Sequence, residues 1–244
     1  MYLSKNIIEH WKAFIKFIFL PTHSLARKEW HYSSLYLFII TCIVLMVIGS
    51  VFQITFSGFF QTEKNIVQNK DIFILPNILI LLIGGILAPI FEELSFRLPL
   101  RLSFTNIFIA VIASVITFTF ISKSSILSIY NTQQINFSCY SLLIPAILLI
   151  TFFTFKIISL FKNSTFMYSI FIWMLAILFA LSHGYENIFS LQSFIYVLVS
   201  STTQLLAGLY YSYLRLQFGI KLSIIIHCFW NTFLVLLKIL FGNT

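Results

Sequence analysis

Charged residues are scarce in this chain. Only 9% of its 244 residues are Asp, Glu, Lys or Arg, whereas about 25% is usual for a soluble globular protein. Hydrophobic residues make up 59% and aromatic residues 18%, and the mean hydropathy is +0.98. The scarcity of charge excludes a soluble globular fold and predicts an integral membrane protein.

Cysteine is also rare, and the three that occur, Cys42, Cys139 and Cys228, show no paired spacing. This number and placement predict neither a disulfide framework nor a zinc-ribbon site. The first apolar stretch is short, is interrupted by Lys16 and ends at Pro21. We therefore expect no cleavable signal peptide.

Long apolar runs are abundant. A helix needs about 17–25 residues to cross a bilayer, and runs of about this length occur at 35–60, 72–94, 104–122, 141–161, 166–183, 191–214 and 221–241. The sequence thus predicts an all-α fold, a polytopic integral membrane helical bundle with about seven transmembrane helices and a range of six to eight. We expect an amino-terminal cytoplasmic or interfacial segment over 1–34 and a transmembrane domain over 35–244.

Basic residues indicate how the chain is oriented. There are 15 Lys and Arg against 7 Asp and Glu, and an amino terminus in the cytoplasm would place eleven of the basic residues inside and four outside. This division follows the positive-inside rule, so the positive charge is an orientation signal and no nucleic-acid partner is expected. Residues 1–20 alternate lysines with aromatic and aliphatic residues, which fits either a helix lying in the membrane interface or a frayed basic tail.

Two acidic residues stand where a membrane protein seldom has them. Glu92 and Glu93 lie near the end of an apolar run, shortly before Arg97. A charge at the middle of a bilayer costs about 2.5–3.5 kcal/mol, so it should face a partner or a watery cavity. Glu93 and Arg97 are four residues apart and share a helix face, whereas Glu92 is rotated by about 100°. The spacing predicts a Glu93–Arg97 ion pair and leaves Glu92 to point elsewhere.

Two histidines, His183 and His227, also lie in apolar runs, and Asn231 follows His227 by one helical turn. In a chain this poor in ionisable groups, these residues and the acidic pair indicate one convergent site. The remaining three histidines, which we expect to be ordinary surface residues, are His10, His23 and His31.

This inventory of side chains suits hydrolysis of a carbonyl compound such as a peptide bond. A carboxylate can take a proton from water as a general base. Two imidazoles can ligate a divalent metal or, without metal, orient the water and stabilise an oxyanion, and the Asn231 amide is a further donor. No Ser or Cys stands beside a base as an acyl-enzyme route requires, since Ser182 and His183 are adjacent and do not face each other on a helix.

Three motifs in order resemble the CPBP family, which comprises the type II CAAX prenyl endopeptidases and their bacterial, Abi-like relatives. The motifs are Glu92-Glu93-x-x-x-Arg97, Phe179-x-x-x-His183 and His227-x-x-x-Asn231, within residues 86–232. The resemblance implies a polytopic intramembrane endopeptidase, described in the family as a metalloprotease, in a bacterial inner membrane. Its expected partners are the bilayer and a membrane-associated or hydrophobic peptide or protein, whether CAAX-like or a peptide precursor.

The resemblance also implies roles for the matching residues. Glu92 would activate the water with Glu93 as a supporting carboxylate, His183 and His227 would complete the centre, and Asn231 would donate to the oxyanion. Arg97 and Phe179 would be structural. If a divalent metal such as zinc is bound, the candidate ligands are His183 and His227 with Glu92.

Two departures from the family pattern bear on this interpretation. The segment between Arg97 and Phe179 is longer than the family's, and the predicted spans at 104–122 and 141–161 fill it. In simple antiparallel spans His183 would also lie at a different depth from the acidic pair. Tilted, broken or re-entrant spans would remove the conflict, and the residues that offer a place for a break are Gly84, Gly85 and Pro89.

Two other functions fit the same residues. A non-catalytic immunity or regulatory membrane protein would use the site to bind a peptide or partner without turnover. A small transporter would use the buried charges to relay protons, but such folds tend to have pseudo-symmetric halves, and the sequence has no internal repeat. The sequence predicts no oligomeric state.

Overall fold

A computed structural model describes residues 2–21, 28–30, 35–57, 76–117, 153–157, 164–183, 195 and 199–241. Within these ranges the regular structure is helical and no strand occurs. The predicted all-α fold is therefore confirmed for the described part of the chain. The predicted polar loop at 123–140 and most of the predicted span at 141–161 lie outside these ranges.

The described helices are numbered in chain order: α1 (Tyr2–Phe19), α2 (Leu35–Ser57), α3 (Asn77–Leu100), α4 (Phe104–Ile116), α5 (Thr165–Leu181), α6 (Thr202–Gln217) and α7 (Ile220–Phe241). Helix α3 is composite. It consists of α-helix over Asn77–Ile80, π-helix over Leu81–Leu87, α-helix over Ala88–Phe96 and a 3₁₀ turn over Leu98–Leu100. A short further helical stretch covers 153–157.

Among the described residues, three helical segments are long and apolar enough to cross a membrane: Leu35–Phe56, Asn77–Leu100 and Ile220–Phe241. Their 22 to 24 residues extend about 33–36 Å at 1.5 Å per residue, which exceeds a hydrocarbon core of about 30 Å. Helices α4 and α5 are apolar but shorter. The described residues thus carry three candidate spans, and the count of about seven stays a prediction.

The chain forms two compact units, of which the first combines Met1–Val67 with Thr165–Ser223. It contains α1, α2, α5, α6 and the first turn of α7, and α6 packs against both α2 and α5. Helices α2 and α6 approach closely at Gly49, where an added Cβ would lie 2.8 Å from the Thr203 Cα. A glycine at this position therefore allows a backbone approach that any side chain would prevent.

Helix α1 packs on this unit through a buried face that includes His10 and Phe14. The His10 Nε2 atom lies 3.0 Å from the Tyr210 hydroxyl, and the imidazole meets the Phe38 ring edge-on. The expectation that His10 is a surface residue is therefore wrong, because aromatic side chains of α2 and α6 enclose it. Burial, and after it the charge of Lys28, lowers the pKa of His10 from 6.5 to about 4, so the imidazole is neutral at pH 7.

The end of α1 is fastened to α5 by two side chains. Trp173 Nε1 donates to the Ile18 carbonyl at 3.2 Å, and Ser169 Oγ donates to the Pro21 carbonyl at 3.1 Å. Carbonyls at the end of a helix have no partner within the helix, so these bonds satisfy groups that would otherwise need water.

The outward face of α1 mixes lysines with exposed apolar side chains. Lys12 and Lys16 are exposed beside Ile15, which is 47% exposed, and Phe19, which is 77% exposed. A formed helix with this mixture is typical of a helix lying in the membrane interface. The fold therefore favours the interfacial interpretation of residues 1–20 over a frayed tail.

The second unit combines Gln68–Ser164 with Ile224–Thr244 and contains α3, α4 and the remainder of α7. Helices α3 and α4 pack against each other. Between them, Ser103 caps α4 by accepting the Asn106 N–H at 3.1 Å, and the Asn106 side chain donates to the Arg101 carbonyl at 2.6 Å. These bonds fix the end of α3, just beyond the acidic pair.

Candidate functional site

The π-helical part of α3 lies directly before the acidic pair. Its backbone bonding is wider than in an α-helix, since the Ala88 N–H bonds to the Ile83 carbonyl five residues earlier. Pro89 then supplies no N–H at all. The Gly84 carbonyl therefore receives no bond from residue 88, whose N–H bonds to Ile83, or from Pro89, and Pro89 also denies the Gly85 carbonyl its α-helical donor. Gly84, Gly85 and Pro89 thus produce a π-helix within a continuous helix, where the sequence suggested a break.

Side chains of α7 supply donors to this π segment. Thr232 Oγ1 donates to the Gly85 carbonyl at 3.1 Å, and Asn231 Nδ2 approaches the Gly84 carbonyl at 3.5 Å. One turn earlier, Cys228 Sγ lies 3.6 Å from the carbonyl of residue 86. The bond from Thr232 is the shortest of the three. It requires a close approach of the two helices, because an added Cβ on Gly85 would lie 2.8 Å from Thr232 Oγ1 and 3.2 Å from Thr232 Cα.

The Glu93–Arg97 ion pair predicted from their spacing is present. Arg97 Nε lies 3.6 Å from Glu93 Oε1, and the side chains are 1% and 0% exposed. The Arg97 guanidinium also lies 5.7 Å from the centre of the Phe96 ring, within cation–π range. The pair belongs to one helix, so it forms without help from the rest of the fold.

His227 on α7 bridges the two carboxylates. Its Nδ1 lies 2.9 Å from Glu93 Oε1, and its Nε2 lies 3.5 Å from Glu92 Oε2. Glu93 is therefore shared between Arg97 and His227. The acidic pair and His227 were expected to converge because they lie in apolar runs. They meet within the second unit.

The hydrogen bonds assign a role to each nitrogen of His227. The Glu93 carboxylate, paired with Arg97, accepts a hydrogen bond from Nδ1–H of His227. Nε2 then faces Glu92, as the free nitrogen of a carboxylate-bound histidine faces its reaction partner in a catalytic triad. His227 thus connects the buried Glu93–Arg97 pair to Glu92.

The two carboxylates differ in access. The Glu93 side chain is fully buried, whereas the Glu92 side chain is 13% exposed. Glu92 is thus the less buried carboxylate of the pair, and its Oε2 atom, which faces His227, is itself buried. The sequence predicted that Glu92 points elsewhere than the Glu93–Arg97 pair, and its Oε2 lies beside His227 Nε2.

Phe179 and His183 lie in the first unit, at the end of α5. The His183 Nδ1 atom lies 2.8 Å from the Phe179 carbonyl, and the two rings meet edge-on with centres 4.7 Å apart. A carbonyl only accepts hydrogen bonds, so Nδ1 is the nitrogen that donates to it. The spacing Phe179-x-x-x-His183 therefore fixes the orientation of the imidazole ring.

The two imidazoles were also predicted to be possible ligands of a divalent metal ion. Across the described ranges, no group of three or more His, Cys, Asp and Glu side chains is arranged to hold a metal ion. A catalytic zinc takes three protein ligands and an open position. The described side chains do not fit that requirement, and the chemistry they offer is acid–base exchange between a carboxylate and an imidazole.

Sequence reasoning missed Thr232 as part of the site. The sequence features that could have indicated Thr232 are Pro89, which removes a backbone donor, and three residues on one side of α7 that can donate hydrogen bonds: Cys228, Asn231 and Thr232.

The comparisons with known proteins assign no family to the chain, so the resemblance to the CPBP family stays a prediction from three motifs. No family model, curated protein or solved structure matches the chain.

Proposed function

We propose that this protein is an intramembrane endopeptidase of the CPBP type, which hydrolyses a peptide bond of a membrane-associated or hydrophobic substrate. The proposal rests on three successive contacts between buried side chains: Arg97 contacts Glu93, Glu93 contacts His227, and His227 contacts Glu92. It lies on helices apolar enough to cross a membrane, where unneeded charges would be costly. Ionisable side chains within membrane-spanning helices are therefore candidates for a functional site.

In the proposed reaction Glu92 is the general base. It takes a proton from a water molecule as the water oxygen attacks the substrate carbonyl carbon, which becomes tetrahedral. The proton then passes to the amine nitrogen as the carbon–nitrogen bond breaks, and His227 Nε2 is placed to share it in transit. Glu93 and Arg97 hold the imidazole in the orientation that this exchange needs. His183 and Asn231 keep the roles implied by the resemblance, a second imidazole and an oxyanion donor.

The proposed location is the bacterial inner membrane with a cytoplasmic amino terminus. Three apolar helices long enough to cross a membrane support the membrane itself, and the division of basic residues supports the orientation. Reporter fusions at each terminus test it. An amino-terminal reporter active only outside the cytoplasm would contradict the orientation.

The test of activity is cleavage by the purified full-length protein in proteoliposomes, with substrates found by comparing membrane peptides of wild-type and Glu92→Gln cells. Loss of a general base typically lowers the rate about 10²–10⁴-fold, and we expect that loss for Glu92→Gln. Glu9→Gln is the matched control, because Glu9 is an exposed acid on α1. Equal cleavage by both variants and the wild type would refute the proposal.

Metal content is measured on the same samples. Stoichiometric zinc that is lost in His227→Ala, together with inhibition by a chelator, would assign the site to a metalloprotease. Activity that persists in a chelator without bound zinc would assign it to the carboxylate and imidazole alone.

A non-catalytic immunity or regulatory protein is the second candidate. The observation that favours it is the position of the Asn231 amide, which approaches the Gly84 carbonyl and would have to turn away to stabilise an oxyanion. Complementation of a deletion separates the two functions. Full rescue by Glu92→Gln would support binding without turnover, and failure of rescue would support the protease.

A further inference from the structure

The π segment of α3 creates a specific need for hydrogen-bond donors. Ala88 N–H bonds to Ile83, and Pro89 has no N–H. A carbonyl that lacks its α-helical donor in an apolar setting is stabilised by a donor from another helix. Thr232 Oγ1 is such a donor, and it lies 3.1 Å from the Gly85 carbonyl.

The contact between Thr232 and Gly85 also sets where the acidic pair lies. Glu92 follows Gly85 by seven residues, close to two α-helical turns, and a second contact joins Glu93 to His227 at 2.9 Å. Two contacts on the same pair of helices fix both the rotation of α3 about its axis and its position along α7. The contact from Thr232 is the shortest of the three polar contacts between α7 and the π segment.

A return of the π segment to α-helical bonding would disturb this arrangement. A π turn holds about one residue more than an α turn, and one residue corresponds to about 100° of rotation. That rotation equals the angle between Glu92 and Glu93. Without the π segment, the carboxylate facing His227 Nδ1 would no longer be the one that Arg97 holds.

We infer that Thr232 is a positioning residue, whose hydroxyl holds the π segment of α3 so that Glu93 orients His227 and Glu92 faces Nε2. Its catalytic consequence rests on the proposed function, whereas its structural consequence does not. π-helical turns within α-helices occur often at functional sites, and this one lies directly before the proposed general base.

The test compares two substitutions of Thr232 in the full-length protein in detergent micelles. Thr232→Val removes the hydroxyl and keeps the shape, and Thr232→Ser keeps the hydroxyl and removes the methyl group. Histidines are labelled with ¹⁵N, the His227 signals are assigned with His227→Gln, and Glu93→Gln gives the reference for an imidazole without its carboxylate.

We expect Thr232→Val to move the His227 Nδ1 signal toward its position in Glu93→Gln, and Thr232→Ser to retain the wild-type signal. Where cleavage is observed, Thr232→Val should lower its rate about 100-fold, as misplacement of a catalytic group by about 1 Å does, and Thr232→Ser should restore it. If Thr232→Val does not fold, Thr232→Ala makes the same comparison.

A wild-type His227 signal in the variant without the hydroxyl, or the same altered signal in Thr232→Ser, would overturn the inference. The signal is independent of turnover. A protein that proves to be inactive would therefore refute the proposed function and still decide the role of Thr232.

Discussion

Replacing Gly85 by alanine tests the close approach of α3 and α7. The new Cβ would lie 2.8 Å from Thr232 Oγ1 and 3.2 Å from Thr232 Cα. The hydroxyl can rotate away, but it then leaves the Gly85 carbonyl, and the Cα can move only with the backbone of α7. Gly84→Ala is the matched control, because its Cβ would meet only Val235 Cγ2 at an ordinary 3.5 Å.

The expected size of the effect follows from three contributions. Overpacking of a tight contact costs about 1–3 kcal/mol, and loss of the hydrogen bond from Thr232 costs about 1 kcal/mol. Alanine favours a helix over glycine by about 1 kcal/mol, which offsets part of the loss. We therefore expect Gly85→Ala to lower the free energy of unfolding by about 1–3 kcal/mol, while Gly84→Ala leaves it unchanged or raises it by up to about 1 kcal/mol.

The assay is unfolding of the purified protein in mixed micelles by increasing SDS, followed by circular dichroism. The quantity compared is the difference in free energy of unfolding between the two alanine variants. If Gly85→Ala is as stable as Gly84→Ala, the helices do not approach at Gly85 as described, and the argument for the π segment fails with it.

Two further predictions concern buried charge. Arg97→Met should lower the free energy of unfolding by about 3–5 kcal/mol, because it leaves Glu93 buried without its cation; the double variant with Glu93→Gln should recover part of the loss in the same SDS titration, and additive losses would contradict the pairing. His10 has its pKa lowered from 6.5 to about 4 by burial and then by Lys28, so between these pH values the unfolded chain binds a proton that the folded chain does not. The free energy of unfolding should fall by up to about 3 kcal/mol as the pH drops from 6.5 to 4, and this loss should be absent in His10→Gln; parallel pH profiles of the two proteins would show that His10 is not buried as a neutral imidazole.

The helices that the sequence predicted best are those whose signals are local. The apolar run at 221–241 corresponds to α7, and the run at 166–183 corresponds closely to α5. The Glu93–Arg97 pair was predictable because its geometry depends only on helix spacing. The predicted span at 72–94 was displaced from α3, whose candidate span is Asn77–Leu100, because hydropathy does not register the charged final turns as part of the helix.

The features that the sequence did not reveal depend on distant partners or on a different helical period. His10 was expected at the surface because it lies in the polar amino-terminal region. It is buried instead, and its partner Tyr210 lies 200 residues away in the sequence. The π segment was not predicted, because the length of an apolar run does not distinguish π-helical from α-helical bonding. The contact of Thr232 with Gly85 joins residues 147 apart, and a single sequence holds no local sign of it beyond the polar residues of α7.

The separation of the site residues along the chain has a consequence for how the protein is made. Glu93 and His227 are 134 residues apart, so at about 5–20 residues per second the ribosome adds His227 about 7–27 s after Glu93. Arg97 follows Glu93 within about one turn, so this ion pair can form as soon as α3 does. The contacts of Glu92 and Glu93 with His227 form only after α7 has been made.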